Sequence, residues 1–209
     1  MVLDSYRGEA DKILSPAAKR LSNINPNSIS AASLVFAVIA AVLYVFDEPM
    51  HFLLLAAVAV LVSGTLDALD GKVARISSKA SKRGDFLDHV IDRYSDAIIL
   101  AAIAMSARCP VSFGLLAVIG VMLASYMGTQ AQALGLSREY RGILGRADRI
   151  AVLVVVSIIQ YALEVGDSSL ATDIFGYSLI AWMMIYFGLA GNITALQRAW
   201  LIWKSLPSA

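Results

Sequence analysis

Six mainly apolar stretches, at about 28–46, 51–70, 86–107, 112–134, 148–164 and 174–203, make up most of the chain and are joined by short polar connections. A helix needs roughly 20 such residues to cross bilayer hydrocarbon, so each stretch is long enough, or nearly so, to span. An open sheet would leave backbone hydrogen bonds unmet in lipid, so helix is the reading for every span. Asn25-Pro26-Asn27-Ser28 supplies a turn and an N-cap before the first of them. Composition agrees: 16% of the residues are charged, against about 25% in soluble domains. The expected fold is an all-α integral membrane protein with six transmembrane helices.

The charges orient that bundle. Arg7, Lys12, Lys19 and Arg20 precede the first span, and Lys72, Arg75, Lys79, Lys82 and Arg83 lie between the second and third. Arg138, Arg141, Arg146 and Arg149 surround the connection from the fourth to the fifth, and Arg198 and Lys204 close the chain. In a six-span arrangement all of these fall on one side. The other side keeps only Arg108, besides Asp47, Glu48, Glu164, Asp167 and Asp173. The positive-inside rule then puts both termini in the cytoplasm, with the chain a multi-pass protein of the cell membrane. Residues 3–21 set Leu3, Tyr6, Ile13, Leu14, Ala17 and Leu21 among basic residues, which suits an amphipathic helix at the interface. The chain thus divides into an interfacial segment, 1–27, and a membrane domain, 28–209. The opening MVLDSYRGEADKIL lacks the apolar core of a cleavable signal peptide, and the lone Cys109 excludes a disulfide within the chain. The net charge of +1 says little about partners, because what matters is where the charges lie; membrane lipids are expected as partners and nucleic acid is not.

Acids at the facing ends of the second and third spans are costly in lipid, and so they are informative. The segment reads Asp67-Ala-Leu-Asp70-Gly71-Lys-Val-Ala74-Arg75, then eight residues, then Gly84-Asp-Phe-Leu-Asp88-His-Val-Ile-Asp92. Residues three or four apart share a helix face, which pairs Asp67 with Asp70 and Asp88 with Asp92. A short turn joins the two helices, so the four carboxylates can converge. Convergent carboxylates at membrane depth need protons or a cation. Carboxylate-only ligation selects hard ions such as Mg²⁺, Mn²⁺ or Ca²⁺, and two ions would clamp a pyrophosphate. Gly71 permits close approach to the backbone, and Arg75 offers a planar phosphate-binding fork. The competing structural reading is a salt-bridge network with Lys72, Arg75, Arg83 and Arg93.

This 26-residue stretch, D-x2-D-G-x2-A-R-x8-G-x3-D-x3-D, resembles the signature of the CDP-alcohol phosphotransferase family without a gap. The resemblance implies that Asp67, Asp70, Asp88 and Asp92 bind metal, Mg²⁺ or Mn²⁺, as two ions. It implies Asp92 as general base, and Asp70, Gly71, Ala74 and Arg75 as the nucleotide site. It also implies a CDP-linked lipid donor, release of CMP and a homodimer.

For the acceptor, Gly84 to Asp96 looks like the branch of the family that uses polyol phosphates, notably the inositol-phosphate enzymes of archaea and actinobacteria. A phosphorylated acceptor needs cations near the base, and Arg138, Arg141, Arg146 and Arg149 can supply them. Their bland reading is topogenic, as charges that hold anionic head groups; it applies more to Arg138 and Arg141, because Gly145-Arg-Ala-Asp148-Arg149 resembles the family's arginine-containing stretch before the fifth span. One departure counts against inositol phosphate. Gly128 and Gln130 stand where such enzymes often carry basic residues, so glycerol phosphate is the second reading.

His89 is expected to pack or face the surface, Arg93 and Asp96 to pair at i, i+3, and Asp96 to lie deep enough to orient the metal ligands from behind. Trp182, Trp200 and Trp203 are expected to mark interfaces. A transporter or cation channel would spread its acids through the membrane and show broken helices or repeats. Here the acids cluster at one end.

Overall fold

The computed structural model describes residues 7–46, 51–167 and 174–207. Leu3, Tyr6, Asp47, Glu48 and Asp173 of the expectations above lie outside them, as do the side chains of Arg7 and Ile13. The described residues form seven helices: α1 Arg7–Arg20, α2 Pro26–Val45, α3 His51–Ile76, α4 Lys82–Met105, α5 Val111–Ala133, α6 Arg146–Val165 and α7 Leu179–Ser205. The sequence signals that start them are visible. Asn25 caps α2 by accepting from the Asn27 backbone N–H at 3.1 Å, with Pro26 in the first turn. Ser81 and Ser178 cap α4 and α7 in the same way, accepting from Gly84 and Ala181.

The chain is an all-helical, multi-pass membrane protein. Four helices, α2, α3, α5 and α7, are long and apolar enough to cross a membrane by length and composition. The other two expected spans are present as helices of 24 residues (α4) and 20 residues (α6). Asp88, Asp92, Arg93 and Asp96 lower the apolar character of α4, and Arg146, Arg149 and Glu164 that of α6. Helix boundaries also differ from expectation: α3 continues to Ile76 and α4 begins at Lys82. With 26 residues, α3 is about 39 Å long against roughly 30 Å of hydrocarbon, so one end of it must project. The motif aspartates therefore all sit on helix.

Small residues bring the helices together. α2 packs on α3 and α4, α3 on α6, and α5 on α7. Ala37, Ala40 and Ala41 of α2 and Ala56, Ala59 and Val60 of α3 belong to the buried core. On α5 and α7 the backbones nearly touch: a Cβ on Gly191 would stand 2.7 Å from the Gly120 carbonyl carbon. Such contact is how membrane helices gain packing energy without a hydrophobic drive between them. α1 lays Leu14, Ala17, Ala18 and Leu21 against Ile29, Leu66, Leu69 and Val73, while Lys12, Lys19 and Arg20 stay exposed.

A polar knot closes the end of the bundle away from the motif. Arg108 donates to both Glu164 carboxylate oxygens, at 2.7 and 2.8 Å, and Gln160 Nε2 donates to Oε1 at 2.9 Å. The Gln160 carbonyl accepts from Leu179 N at the start of α7, and Ser178 donates to the Arg108 carbonyl. The knot ties α6 and α7 to the turn between α4 and α5. Trp182 donates to the Ile174 carbonyl nearby, whereas Trp200 and Trp203 are exposed.

Candidate active site

The hairpin between α3 and α4 is built from its own residues. Ser78 adopts a φ of 56° and turns the chain, and the Ser81 cap begins α4. Gly84 fits against both Ser81 and α2: its Cβ would lie 3.3 Å from Ser81 Oγ and 3.5 Å from Asn27 Oδ1. Gly71 is different. A Cβ there would meet only Arg75 Nη1, at 3.7 Å, because Gly71 faces a cavity of about 200 Å³. Asn27 and Ser30 of α2, Asp70, Gly71, Ala74 and Arg75 of α3, and Asp88 of α4 line it.

Beside this cavity the aspartates converge in two overlapping groups. Asp67, Asp70 and Asp88 each offer an oxygen within 4.8 Å of the others, and Asp88 and Asp92 offer oxygens equally close to a ring nitrogen of His89. Asp70 and Asp92 are buried, at 4% and 7% exposure. Ser30 donates to Asp70 Oδ2 from α2. Asp67 Oδ1 is buried and has no hydrogen-bond partner among the described residues. A buried carboxylate oxygen left open beside two other carboxylates fits a hard divalent cation, whose ligands are oxygens. The donor set therefore suits a divalent metal ion.

The four candidate arginines separate into two pairs. Arg146 and Arg149, in the first turn of α6, enter the acidic site. Arg146 Nη1 donates to Asp67 Oδ2 at 2.5 Å and pairs with Asp92 Oδ1. Arg149, only 5% exposed, donates to Asp96 Oδ2 at 2.5 Å. Arg138 and Arg141 lie on the loop between α5 and α6. Arg138 Nη1 stands 2.6 Å from His89 Nε2 and its guanidinium lies over the Tyr140 ring. Arg141 is exposed and paired with Glu139, whose carboxyl its hydrogen bonds hold down at about 2. Arg93 meets the salt-bridge reading: its Nη2 is 3.4 Å from Asp92 and 4.0 Å from Asp96. Arg75 and Arg83 are exposed, and Arg146 is the principal cation among the acids.

Two residues escaped the sequence reading, and a third has more partners than expected. Ser30 looked like one more small residue in an apolar span. Asp96, expected to pair with Arg93 and to lie deep enough to orient the ligands, is faced by Arg149 and Arg146 as well. Arg198 looked like an ordinary basic residue closing the chain. It is in fact 7% exposed and donates to the carbonyls of Ala124, Tyr140 and Arg141, at 2.6, 3.0 and 2.8 Å. It pins the α5–α6 loop from α7. The one signal for it was a lone arginine flanked by apolar helix.

The arrangement also explains Gly128. A Cβ there would lie 3.1 Å from the Glu139 carbonyl, 3.3 Å from Arg198 Nη1 and 4.0 Å from Arg138 Nε. Cations thus reach this place from α7 and from the loop.

Comparisons with known proteins point the same way. The family model described as CDP-alcohol phosphatidyltransferase matches residues 23–204. The archaetidylinositol phosphate synthase of Pyrococcus horikoshii is 29% identical over 207 residues, covering 98% of this chain and 98% of the relative. That of Aeropyrum pernix is 33% identical over 156 residues, covering 73% of this chain and 78% of the relative. Among solved structures, phosphatidylinositol phosphate synthase of Mycobacterium tuberculosis with CDP-DAG bound superimposes with a TM-score of 0.72 at 21% identity, covering 95% of this chain and 99% of that one. The same enzyme in complex with manganese and citrate also gives 0.72, at 22% identity, covering 94% of this chain and 93% of that one. The likeness to these structures is one of fold.

Proposed function

We infer the reaction from one premise: the chain belongs to the CDP-alcohol phosphatidyltransferase family. We propose that it transfers a phosphatidyl or archaetidyl group from a CDP-linked lipid to a polyol phosphate, inositol phosphate first, and releases CMP. The observation that carries this reading is the cavity lined by Asp70, Gly71, Ala74 and Arg75, opening beside the converging aspartates. Gly71 leaves its backbone bare on that cavity, and Arg75 brings a guanidinium for phosphate.

Asp67, Asp70, Asp88 and Asp92 would hold two Mg²⁺ or Mn²⁺ ions, whose chemistry is to neutralise the pyrophosphate and polarise its phosphorus. Asp92 takes the proton from the acceptor hydroxyl. The freed oxygen attacks the phosphorus that carries the lipid, the bond from that phosphorus to the bridging oxygen breaks, and CMP leaves with that oxygen. Ser30 holds Asp70 in place for the nucleotide. Arg146, Arg149, Arg138 and Arg141 are the proposed contacts for the acceptor phosphate; Arg141, exposed and turned to Glu139, is the weakest of them. Glycerol phosphate as acceptor rested on the missing cations at Gly128 and Gln130. Arg198 and Arg138 reach that space from elsewhere, which favours inositol phosphate.

All six helices α2 to α7 span the membrane in this reading, with residues 1–27 as an interfacial segment and 28–209 as the membrane domain. The basic residues put both termini and the acidic site on the cytoplasmic face of the cell membrane. The working form is a homodimer.

The test is a CMP-release assay. Purified protein in Mg²⁺ receives a CDP-lipid and, in separate reactions, inositol phosphate, glycerol phosphate, free inositol or serine. Release is expected with inositol phosphate and absent from Asp92→Asn. No release with any acceptor would end the enzymatic reading, and a preference for glycerol phosphate would change only the acceptor.

A further inference from the structure

Arg146 occupies ground that a metal ion would claim. Its Nη1 is committed to Asp67 Oδ2 and to Asp92 Oδ1, carboxylates of the two groups that can hold a cation. A divalent ion and a guanidinium cannot share those oxygens comfortably, because like charges a few ångströms apart in a partly dry site repel strongly. One must move, and the surroundings say which.

The present seat satisfies Arg146 only in part: its Nε is buried and has no hydrogen-bond partner among the described residues. A second seat adjoins the first. Asp96 Oδ1 stands 3.9 Å from that Nε, while Asp96 Oδ2 is held by Arg149. A charge-assisted bond is about 2.8 Å long, so a shift of about 1 Å would form it. Room lies next to it: a cavity of about 20 Å³ is lined by Gly64, Ser95, Asp96, Arg146 and Arg149. That is space for one water, or for the slack a guanidinium needs to turn. Ser95 Oγ, also buried there, has no partner among the described residues.

We propose that Arg146 is a displaceable counter-ion: it neutralises Asp67 and Asp92 when metal is absent and swings onto Asp96 when metal enters. A consequence rests on the proposed role of Arg146 toward the acceptor phosphate. The guanidinium becomes available to that phosphate only after the metal has released it, so metal binds before acceptor. Asp96 acts through Arg146 and is a positioning residue.

The test reads metal affinity directly, without substrate. Mn²⁺ binding to the full chain in detergent is followed by the loss of the free-ion paramagnetic resonance signal, for wild type, Arg146→Gln, Arg146→Lys and Asp96→Asn. Removing the competitor is expected to tighten Mn²⁺ binding by about tenfold or more in Arg146→Gln, the scale of one lost charge-assisted bond. Arg146→Lys keeps the charge with one nitrogen and should fall between. Asp96→Asn removes the second seat and should weaken Mn²⁺ binding. The double variant should match Arg146→Gln, since no guanidinium is left to reseat. Unchanged or weaker Mn²⁺ binding in Arg146→Gln, with intermediate behaviour missing in Arg146→Lys, would overturn the proposal. Wild-type affinity in Asp96→Asn would overturn the second seat. The acceptor role is read separately, as the KM for inositol phosphate at saturating Mn²⁺; it can fail while the Mn²⁺ result stands.

Discussion

The two ends of the bundle bury ion pairs to similar depth and use them in opposite ways. At one end the side chains of Arg108 and Glu164 are 17% and 15% exposed, and at the other those of Arg146 and Asp92 are 20% and 11% exposed. Arg108 fills both oxygens of one carboxylate, and Gln160 adds a third bond that continues into the backbone of α7. Arg146 is divided between Asp67 and Asp92, with Asp96 in waiting, and leaves its own Nε and Asp67 Oδ1 without hydrogen bonds. The first arrangement is closed and has no remaining valence for a ligand. The second is open, and in a low-dielectric setting an open polar group costs free energy unless something binds it. Satisfaction, more than burial or charge, separates the structural pair from the working site.

The sharpest way to break that comparison is to neutralise one acid at each end. Asp92→Asn is expected to lower the rate of CMP release by about a thousandfold or more, the loss of a general base compounded with loss of a proposed metal ligand. Its melting in EDTA should stay near wild type, because one repelling charge goes as one partner of Arg146 goes. Glu164→Gln should do the reverse. Breaking a buried pair strands Arg108, at a cost of about 3–5 kcal/mol, while activity per folded molecule stays within about twofold. Calorimetry or thermofluor melting beside the CMP assay reads both. Equal activity losses at the two ends would dissolve the distinction.

Arg198→Ala probes the acidic end from outside. The side chain touches none of the aspartates, yet it holds three carbonyls of α5 and the loop that carries Arg138. Removing it leaves those carbonyls in need of partners, at about 1–3 kcal/mol for a buried unsatisfied group. The loop should loosen, raising the KM for inositol phosphate about tenfold with little change in the KM for the CDP-lipid. A parallel rise in both constants would mean that Arg198 supports the whole bundle and not the acceptor side.

What the sequence disclosed follows the same divide. The apolar runs located every long helix, because length and hydropathy are local properties of the chain. The spacing of Asp67, Asp70, Asp88 and Asp92 located the carboxylate groups, because helical periodicity decides which of them share a face. The partners of those acids were hidden. Arg146 lies 79 residues from Asp67 and Ser30 lies 40 from Asp70, so only helix packing could show that they meet. The four arginines from 138 to 149 were set apart only by the nearness of Arg146 and Arg149 to the fifth span, since sequence proximity was the only distance available. The turn into α6 sends Arg146 and Arg149 inward and leaves Arg141 in solvent. Arg198 was disguised by the positive-inside rule, which accounts for a basic residue near a membrane whether or not it also bonds inside the fold. The overlong α3 was missed because the charges from Asp67 onward look like a helix end, although helix continues through them to Ile76.

The smallest effect is expected where one partner of an ion pair sits in water, as Arg141 does with its side chain 67% exposed beside a Glu139 only 13% exposed. Glu139 binds the exposed Arg141 through two side-chain bonds, at 2.9 and 2.6 Å, and one from the backbone, at 2.9 Å. Together they hold its carboxyl at about 2 against an ordinary 4.5. A depressed carboxylate contributes stability that is fully present above its unfolded value and is lost as pH falls through its folded one. The contribution should therefore be complete above about pH 4.5 and fade toward pH 2. Solvent screening around the exposed Arg141 keeps the pair weak. Glu139→Gln is expected to lower the melting temperature by no more than about one or two degrees at pH 7, with no difference from wild type as the pH approaches 2. High salt should shrink the gap at pH 7, whereas the Arg108–Glu164 knot, shielded from ions, should keep its contribution. A Glu139→Gln loss as large as that of Glu164→Gln, or one indifferent to salt, would show that the α5–α6 loop is held by this pair. The stability of the acidic end would then depend on its rim as well as on its buried charges.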